Sequence, residues 1–224
     1  FDVTVRQAQV LAQLDRCAVD HGKEVGTLVV VGRDLATALA LVQRQDQVPH
    51  IPLAPDGAGD FYGGQFMWWR EDTFRDFILD GAAAAIAQAL TGAPEIRLFY
   101  DFLLTKEAGA GNPTPWHQDR LYYPLAGDGA DNVCTTWIAL DPVTLNSGAV
   151  EYVKGSHAWG RYFAPKSFND DGRYGGLDIE ALPDVANTRG DYDIVHYDLE
   201  PGDCVAHHVM GVHGAPENNA DIRR

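Results

Sequence analysis

Apolar residues between Val5 and Val19 recur at roughly helical spacing: Val5, Ala8, Leu11, Ala12, Leu14 and Ala18, with polar residues between them. The pattern predicts an amphipathic helix that stops at His21-Gly22. Residues 27–32 form a short apolar run bounded by glycines and read as a buried strand. Asp34 is placed to cap a second helix reaching about Gln45. Pro49, Pro52, Pro55 and the glycines that follow read as loop. The aromatic stretch Phe61 to Trp69 reads mainly as core. Glu71 to Leu90 is helical in character, with alanines at 82–85 and a stop at Gly92. The first ninety residues thus read as mainly helical.

The period changes at Pro94. Residues 96–106 alternate as one long strand, with Tyr100, Phe102, Leu104 and Lys106 on a shared face. A Gly-rich loop at 108–113 precedes the stretch around His117. Residues 133–140 form a strand with Cys134, Thr136 and Ile138 on one face and Thr135, Trp137 and Ala139 on the other. Asn146-Ser147-Gly148 is a turn, and further strands follow at 149–153, 193–199, 204–209 and 212–215. The segment 158–190 is polar and rich in Gly, Pro and Asp, a length that marks a functional or mobile loop. Turn signals every ~8–12 residues, without strand–helix alternation or a repeat, point to a sandwich or barrel.

Composition sets limits on partners. At 224 residues the chain suits a single domain. Seventeen basic residues against thirty-two acidic ones give a net charge of −15, which argues against nucleic acid and anionic membrane surfaces. Cys17, Cys134 and Cys204 are an odd number without CxxC spacing, so they read as thiols in a reducing compartment, and a cytoplasmic location is expected. There is no run long enough to span a membrane and no secretory signal. The chain opens on Phe1 and stops at Arg223-Arg224, so both termini read as trimmed.

The candidate chemistry lies in Trp116-His117-Gln118-Asp119 and Val212-His213-Gly214-Ala215-Pro216. On a strand, His117 and Asp119 would share a face. A second histidine from a neighbouring strand, His213, would complete a set of two histidines and one carboxylate, as non-haem Fe(II) oxygenases use. His207 and His208 lie near His213 and read as packing residues or supports around the metal. His157 reads as a structural loop residue, and His21, His50 and His196 as surface or loop.

Six short motifs, in order, resemble the phytanoyl-CoA dioxygenase family of Fe(II)- and 2-oxoglutarate-dependent oxygenases. They are His117-Gln-Asp119, Thr136-Trp-Ile-Ala-Leu-Asp141, Asn146-Ser-Gly-Ala149, Val153-Lys-Gly-Ser-His157, Pro201-Gly-Asp203 and His213-Gly-Ala-Pro216. The resemblance runs from about Phe99 to Arg224. It implies one oxygenase domain over 1–224, mainly β with N-terminal helices. In that reading 1–93 is mainly helical and 94–224 is a double-stranded β-helix, or jelly roll, whose closing strand is trimmed.

By position, the resemblance makes His117, Asp119 and His213 the iron ligands. Arg224, eleven positions after His213 (224 − 213), becomes the grip on 2-oxoglutarate; a guanidinium fork suits a carboxylate. Thr135, Trp137 and Phe102 become lining residues for that co-substrate. Relatives often carry Ser or Thr where this chain has Ala215, so more of the grip falls on Arg224. The implied reaction uses O2 and oxidises a C–H bond, with release of succinate and CO2. The carboxylate of Asp119 fills the place that halogenases leave open for chloride, which favours hydroxylation; desaturation, epoxidation and ring formation share the site and stay open. Trp116, Tyr122 and Tyr123, with the 158–190 loop, are expected to rim a pocket for a small, largely apolar metabolite. One of Arg161, Lys166, Arg173 and Arg189 is a candidate partner for a substrate carboxylate. No phosphate-binding glycine loop or basic cluster supports an acyl-CoA. The alternatives are a cupin-like metalloenzyme that does not use 2-oxoglutarate and a non-enzymatic jelly-roll binding protein.

Overall fold

The computed structural model describes residues 27–31, 51–54, 60–127, 129–169 and 171–224. The helices expected at 5–19 and 34–45 lie outside them, as do His21, His50, Pro49, Pro55 and Cys17. The described strands are β1 (Thr27–Val31), β2 (Ile51–Pro52), β3 (Phe61–Gln65), β4 (Phe102–Lys106), β5 (Thr114–His117), β6 (Cys134–Ile138), β7 (Glu151–Val153), β8 (Ile194–His196), β9 (Asp203–His208) and β10 (His213–Ala215). Between β3 and β4 lie three short helices, α1 (Met67–Arg70), α2 (Asp72–Asp80) and α3 (Ala83–Thr91). The strands form three antiparallel sheets ordered β1-β9-β6, β5-β10-β7-β8 and β2-β3-β4. Among the described residues no helix is long and apolar enough to cross a membrane.

Four readings of the pattern change. The helix expected over 71–90 is two helices, because Gly81 is extended and a Cβ there would collide with the Phe77 carbonyl. The long strand expected over 96–106 is confined to Phe102–Lys106. Its partner β3 ends at the Gln65–Phe102 pair, where Phe66 takes a left-handed conformation (φ 56°) and turns the chain into α1. Pro52 is strand, paired with Tyr62 at a sheet edge where proline lacks no needed donor. Sheet pairing also runs across the boundary expected near residue 93: β1 pairs with β9 and β3 with β4. The N-terminal part therefore supplies strands as well as helices.

The core forms where two sheets face each other. Val205 of β9, Tyr152 of β7, Ala139, Val143, Ala149 and Leu199 are buried together, with Trp137 of β6 against them. The other face of β6 and β9 packs on α3: Ile86 meets Cys204 and Ala206, with Cys134 and Ile138 alongside. The two faces of β6 are thus as its alternation predicts. The 158–190 segment is anchored by apolar residues of its own. Phe163, Leu182 and Val185 pack with Val153 and Val212.

Candidate metal centre

The register of β10 brings the histidines together. His213 stands opposite His117 of β5 and Tyr152 of β7, and the two imidazole centroids are 4.2 Å apart. Asp119 arrives by another route than expected. β5 ends at His117, and Asp119 has helical backbone angles (φ −69°, ψ −27°) at the start of the 3-10 turn Arg120–Tyr122. The chain bends back, so the pair converges through the end of the strand and not through its pleat. Asp119 Oδ1 lies 3.6 Å from His117 Nε2 and 3.7 Å from His213 Nε2. Gln118, buried between them in sequence, ties this bend to its surroundings by donating to Met210 O (2.9 Å) and Arg161 O (3.2 Å).

The hydrogen bonds fix which nitrogens are free. His117 Nδ1 is 2.7 Å from Pro115 O, and His213 Nδ1 is 2.9 Å from Gly211 O. A carbonyl only accepts, so each Nδ1 carries the proton and each Nε2 presents a lone pair to the centre. Donation of the outer N–H to a carbonyl is the usual support for a metal-binding histidine. One donor atom from each of His117, Asp119 and His213 falls within 4.8 Å of the others. The donor set fits a divalent metal with positions left open. Burial, and then neighbouring His117, pushes His213 down to about 3, which keeps it neutral.

Arg224 is 8% exposed. Its backbone pairs with Lys106 of β4 (2.9 and 3.0 Å), its Nε donates to Ser147 O (3.2 Å) and its guanidinium lies 5.6 Å from the Trp137 ring. Gly148 makes room for it: at φ +88°, a Cβ there would stand 3.3 Å from Arg224 Nε. Among the described residues no carboxylate pairs with Arg224. Trp137 sits beside the arginine. Thr135 reaches the metal set instead, donating to Asp119 Oδ2 at 3.0 Å. Phe102 lies against Gly63 and 6.4 Å from Tyr100.

Of the expected pocket residues, Tyr122 and Tyr123 flank the centre and Trp116 does not. Tyr122 meets His117 edge-on at 5.5 Å. Tyr123 packs on Phe99 and Tyr100 (5.4 and 5.5 Å). Trp116 alternates to the other face of β5, where it joins the Phe163–Val185 cluster. Two rings that the sequence did not single out come from the long loop. Phe168 sits 5.0 Å from His117, and Tyr174 sits 5.5 Å from Tyr122. Both also line a cleft of about 460 Å³ with Pro115 and Lys166. Three of the four loop cations are engaged: Arg161 with Glu180, Arg173 with Asp171 and Arg189 with Glu151. Lys166 is the exposed exception.

A facial set of two histidines and a carboxylate, buried between antiparallel sheets, is the arrangement of mononuclear non-haem iron oxygenases. The chain belongs to the phytanoyl-CoA dioxygenase family, whose profile matches residues 53–224. A probable phytanoyl-CoA dioxygenase of Caenorhabditis elegans is 26% identical over 141 residues, 61% of this chain and 43% of that protein. The peroxisomal phytanoyl-CoA dioxygenase of Bos taurus is 27% identical over 59% of this chain and 38% of its own length. The chain thus spans less than half the length of these curated relatives. Among solved structures, the epimerase SnoN in complex with Fe3+, alpha ketoglutarate and nogalamycin RO superposes with a TM-score of 0.72 at 25% identity, covering 96% of this chain and 79% of that one. The carbocyclase SnoK has a TM-score of 0.71 at 24% identity, covering 97% and 80%. The fold is the jelly roll of these enzymes. The family works with Fe(II), 2-oxoglutarate and O2, and the residues present here fit those groups.

Proposed function

We propose that this chain is an Fe(II)- and 2-oxoglutarate-dependent oxygenase that hydroxylates a C–H bond of a small, largely apolar metabolite. The observation that carries the reading is a metal-ready donor set, with two Nε2 lone pairs facing one carboxylate oxygen, in the same core as a buried arginine that no carboxylate among the described residues pairs with. With the metal, 2-oxoglutarate and O2 bound, that chemistry supplies the oxidising power and releases succinate and CO2. The chain's own residues do the rest. His117, Asp119 and His213 hold the metal, and Arg224 beside Trp137 takes the distal carboxylate. Tyr122, Tyr123, Phe168 and Tyr174 present ring faces and edges to a substrate and keep water from the centre. The Asp119 carboxylate supports hydroxylation over halogenation. The free thiol of Cys134 suits a reducing compartment such as the cytoplasm.

A second reading, ring closure or inversion of a stereocentre, draws on the neighbours described as a carbocyclase and an epimerase. One experiment separates them. The protein is loaded anaerobically with Fe(II) and 2-oxoglutarate, exposed to O2 with a metabolite panel, and scored for succinate and for product mass. Hydroxylation adds one oxygen atom, ring closure removes two hydrogens and inversion leaves the mass unchanged. No succinate above a His117→Ala control, with or without substrate, rejects the oxygenase reading.

A further inference from the structure

The two oxygens of Asp119 have different surroundings. Oδ1 faces Nε2 of His117 and of His213. Oδ2 turns to the opposite sheet, where Thr135 Oγ1 donates at 3.0 Å and His207 Nε2 stands 3.2 Å away. A carboxylate oxygen only accepts, so His207 holds its proton on Nε2. His207 shares the inward face of β9 with Val205 and is 4% exposed. Its ring lies 5.2 Å from Tyr152 and 4.5 Å from His213. Its Nδ1 is buried without a hydrogen-bond partner among the described residues. An imidazole kept there for packing alone would be a poor choice, because an apolar ring fills the space without burying an unpaired nitrogen. Asp119 also lies beyond the end of β5, so no strand pleat sets the direction of its side chain.

We infer that His207 is a positioning residue for the reaction: together with Thr135 it occupies Asp119 Oδ2, so that the carboxylate offers Oδ1 alone to the metal. The inference rests on the iron-oxygenase reading above. His207 does not join the donor set itself; it acts through Asp119. β6 and β9, which hold Thr135 and His207, are adjacent strands with these residues paired in register, so the two donors form one rigid platform. Loss of either donor leaves the carboxylate freer to rotate. His207 also packs beside His213, so its removal loosens the contact between a ligand and the opposite sheet.

Anaerobic titration with Co(II), followed by visible absorption, tests this without turnover. The variants are His207→Phe, His207→Asn, His207→Gln and His117→Ala. The parent binds Co(II), and His117→Ala abolishes or severely weakens binding. His207→Phe keeps a ring but no donor, so affinity falls about tenfold or more, the usual scale for losing a residue that orients a ligand. The Co(II) spectrum shifts with it. His207→Asn is too short to reach Oδ2; it behaves like His207→Phe and replaces it if that variant does not fold. Glutamine can place an N–H near Nε2, so His207→Gln restores affinity to within about threefold of the parent. A parent that binds no Co(II), or binds it no better than His117→Ala, sinks the metal reading and this inference together. A parent that binds Co(II), with His207→Phe or His207→Asn matching its affinity and spectrum, overturns the inference and leaves the metal reading standing.

Discussion

Arg224 shows what a single buried charge implies. Burial pushes its guanidinium down to about 10, so it stays a cation at neutral pH, yet no carboxylate lies against it among the described residues. A buried cation with no protein carboxylate beside it is suited to pair with the carboxylate of a bound anion. Arg224→Gln should weaken 2-oxoglutarate binding about thirtyfold or more, since truncating one partner of a buried charge pair costs ~2–5 kcal/mol. Co(II) affinity should hold, because Arg224 touches none of the three ligands. Anaerobic calorimetry with each ligand in turn measures both; unchanged 2-oxoglutarate affinity would shift the grip to Arg223 or Lys106. At this scale, the convergence of His117, Asp119 and His213 is legible from their motifs, because the spacing of a motif does not depend on the strand order that brings its members together. His207 was only half legible. The alternation of β9 puts it on the face of Val205, but nothing in the sequence says that this face meets Asp119. Phe168 was hidden altogether, since a ring in an irregular loop has no period to betray its direction.

Elements were legible where one local rule governs them. The two faces of β6 follow from alternation alone, and the run at 27–31 from its bounding glycines. The long strand before Lys106 was misread because its end depends on Phe66 turning its partner away, and the 71–90 helix because Gly81 breaks it. Asp119 joins His117 and His213 as the motif predicts, but from the start of a 3-10 turn and not from a strand. Lys106 closes β4 fully buried, with Nζ donating to Pro216 O at 2.8 Å. Burial, and then Arg224, pushes its pKa down to about 6. The unfolded chain keeps the proton up to about pH 10.4. Between these values the unfolded state binds more protons, so stability rises with pH across the window and is lost as pH falls through about 6. Lys106→Met should flatten that slope and stabilise the fold by about 1–3 kcal/mol at pH 7; thermal melts across the window measure both, and an unchanged slope would assign it elsewhere. The long loop has its own tie. Tyr122 OH donates to Lys166 O (2.6 Å) and accepts from Lys166 N (2.8 Å), holding the stretch that carries Phe168. Tyr122→Phe keeps the ring and removes the tie, so amide exchange should rise across 163–175 while the melting temperature moves little. Unaltered exchange there would mean that apolar packing alone holds the loop.

The whole molecule places its functional groups across two facing sheets. His117 and His213 come from β5 and β10, while Thr135 and His207 reach across from β6 and β9 to the same aspartate. The class of fold followed from many short strands, but their sheet partners did not, because β1 and β3 pair with strands distant in sequence. Such an arrangement couples the ligands to global stability. In the unfolded chain His117 and His213 are ninety-six residues apart (213 − 117), so a metal that needs both binds the folded state almost alone. Mass action then stabilises the fold by about 2.7 kcal/mol at a free metal concentration of a hundred times Kd. For a domain of this size that raises the melting temperature by roughly 5–10 °C. Adding 2-oxoglutarate should raise it further only when metal is present, since one end of that molecule would rest on the metal and the other on Arg224. The measurement is a set of anaerobic melts of the metal-free protein, with Co(II), with 2-oxoglutarate and with both. Asp119→Ala removes the oxygen that faces both histidines, so it should lose most of the metal-dependent rise and, with it, the further rise from 2-oxoglutarate. A chelator should return the parent to its metal-free value. A 2-oxoglutarate shift of full size without metal would mean that the dicarboxylate binds through Arg224 alone, and that the metal and the co-substrate do not share one site.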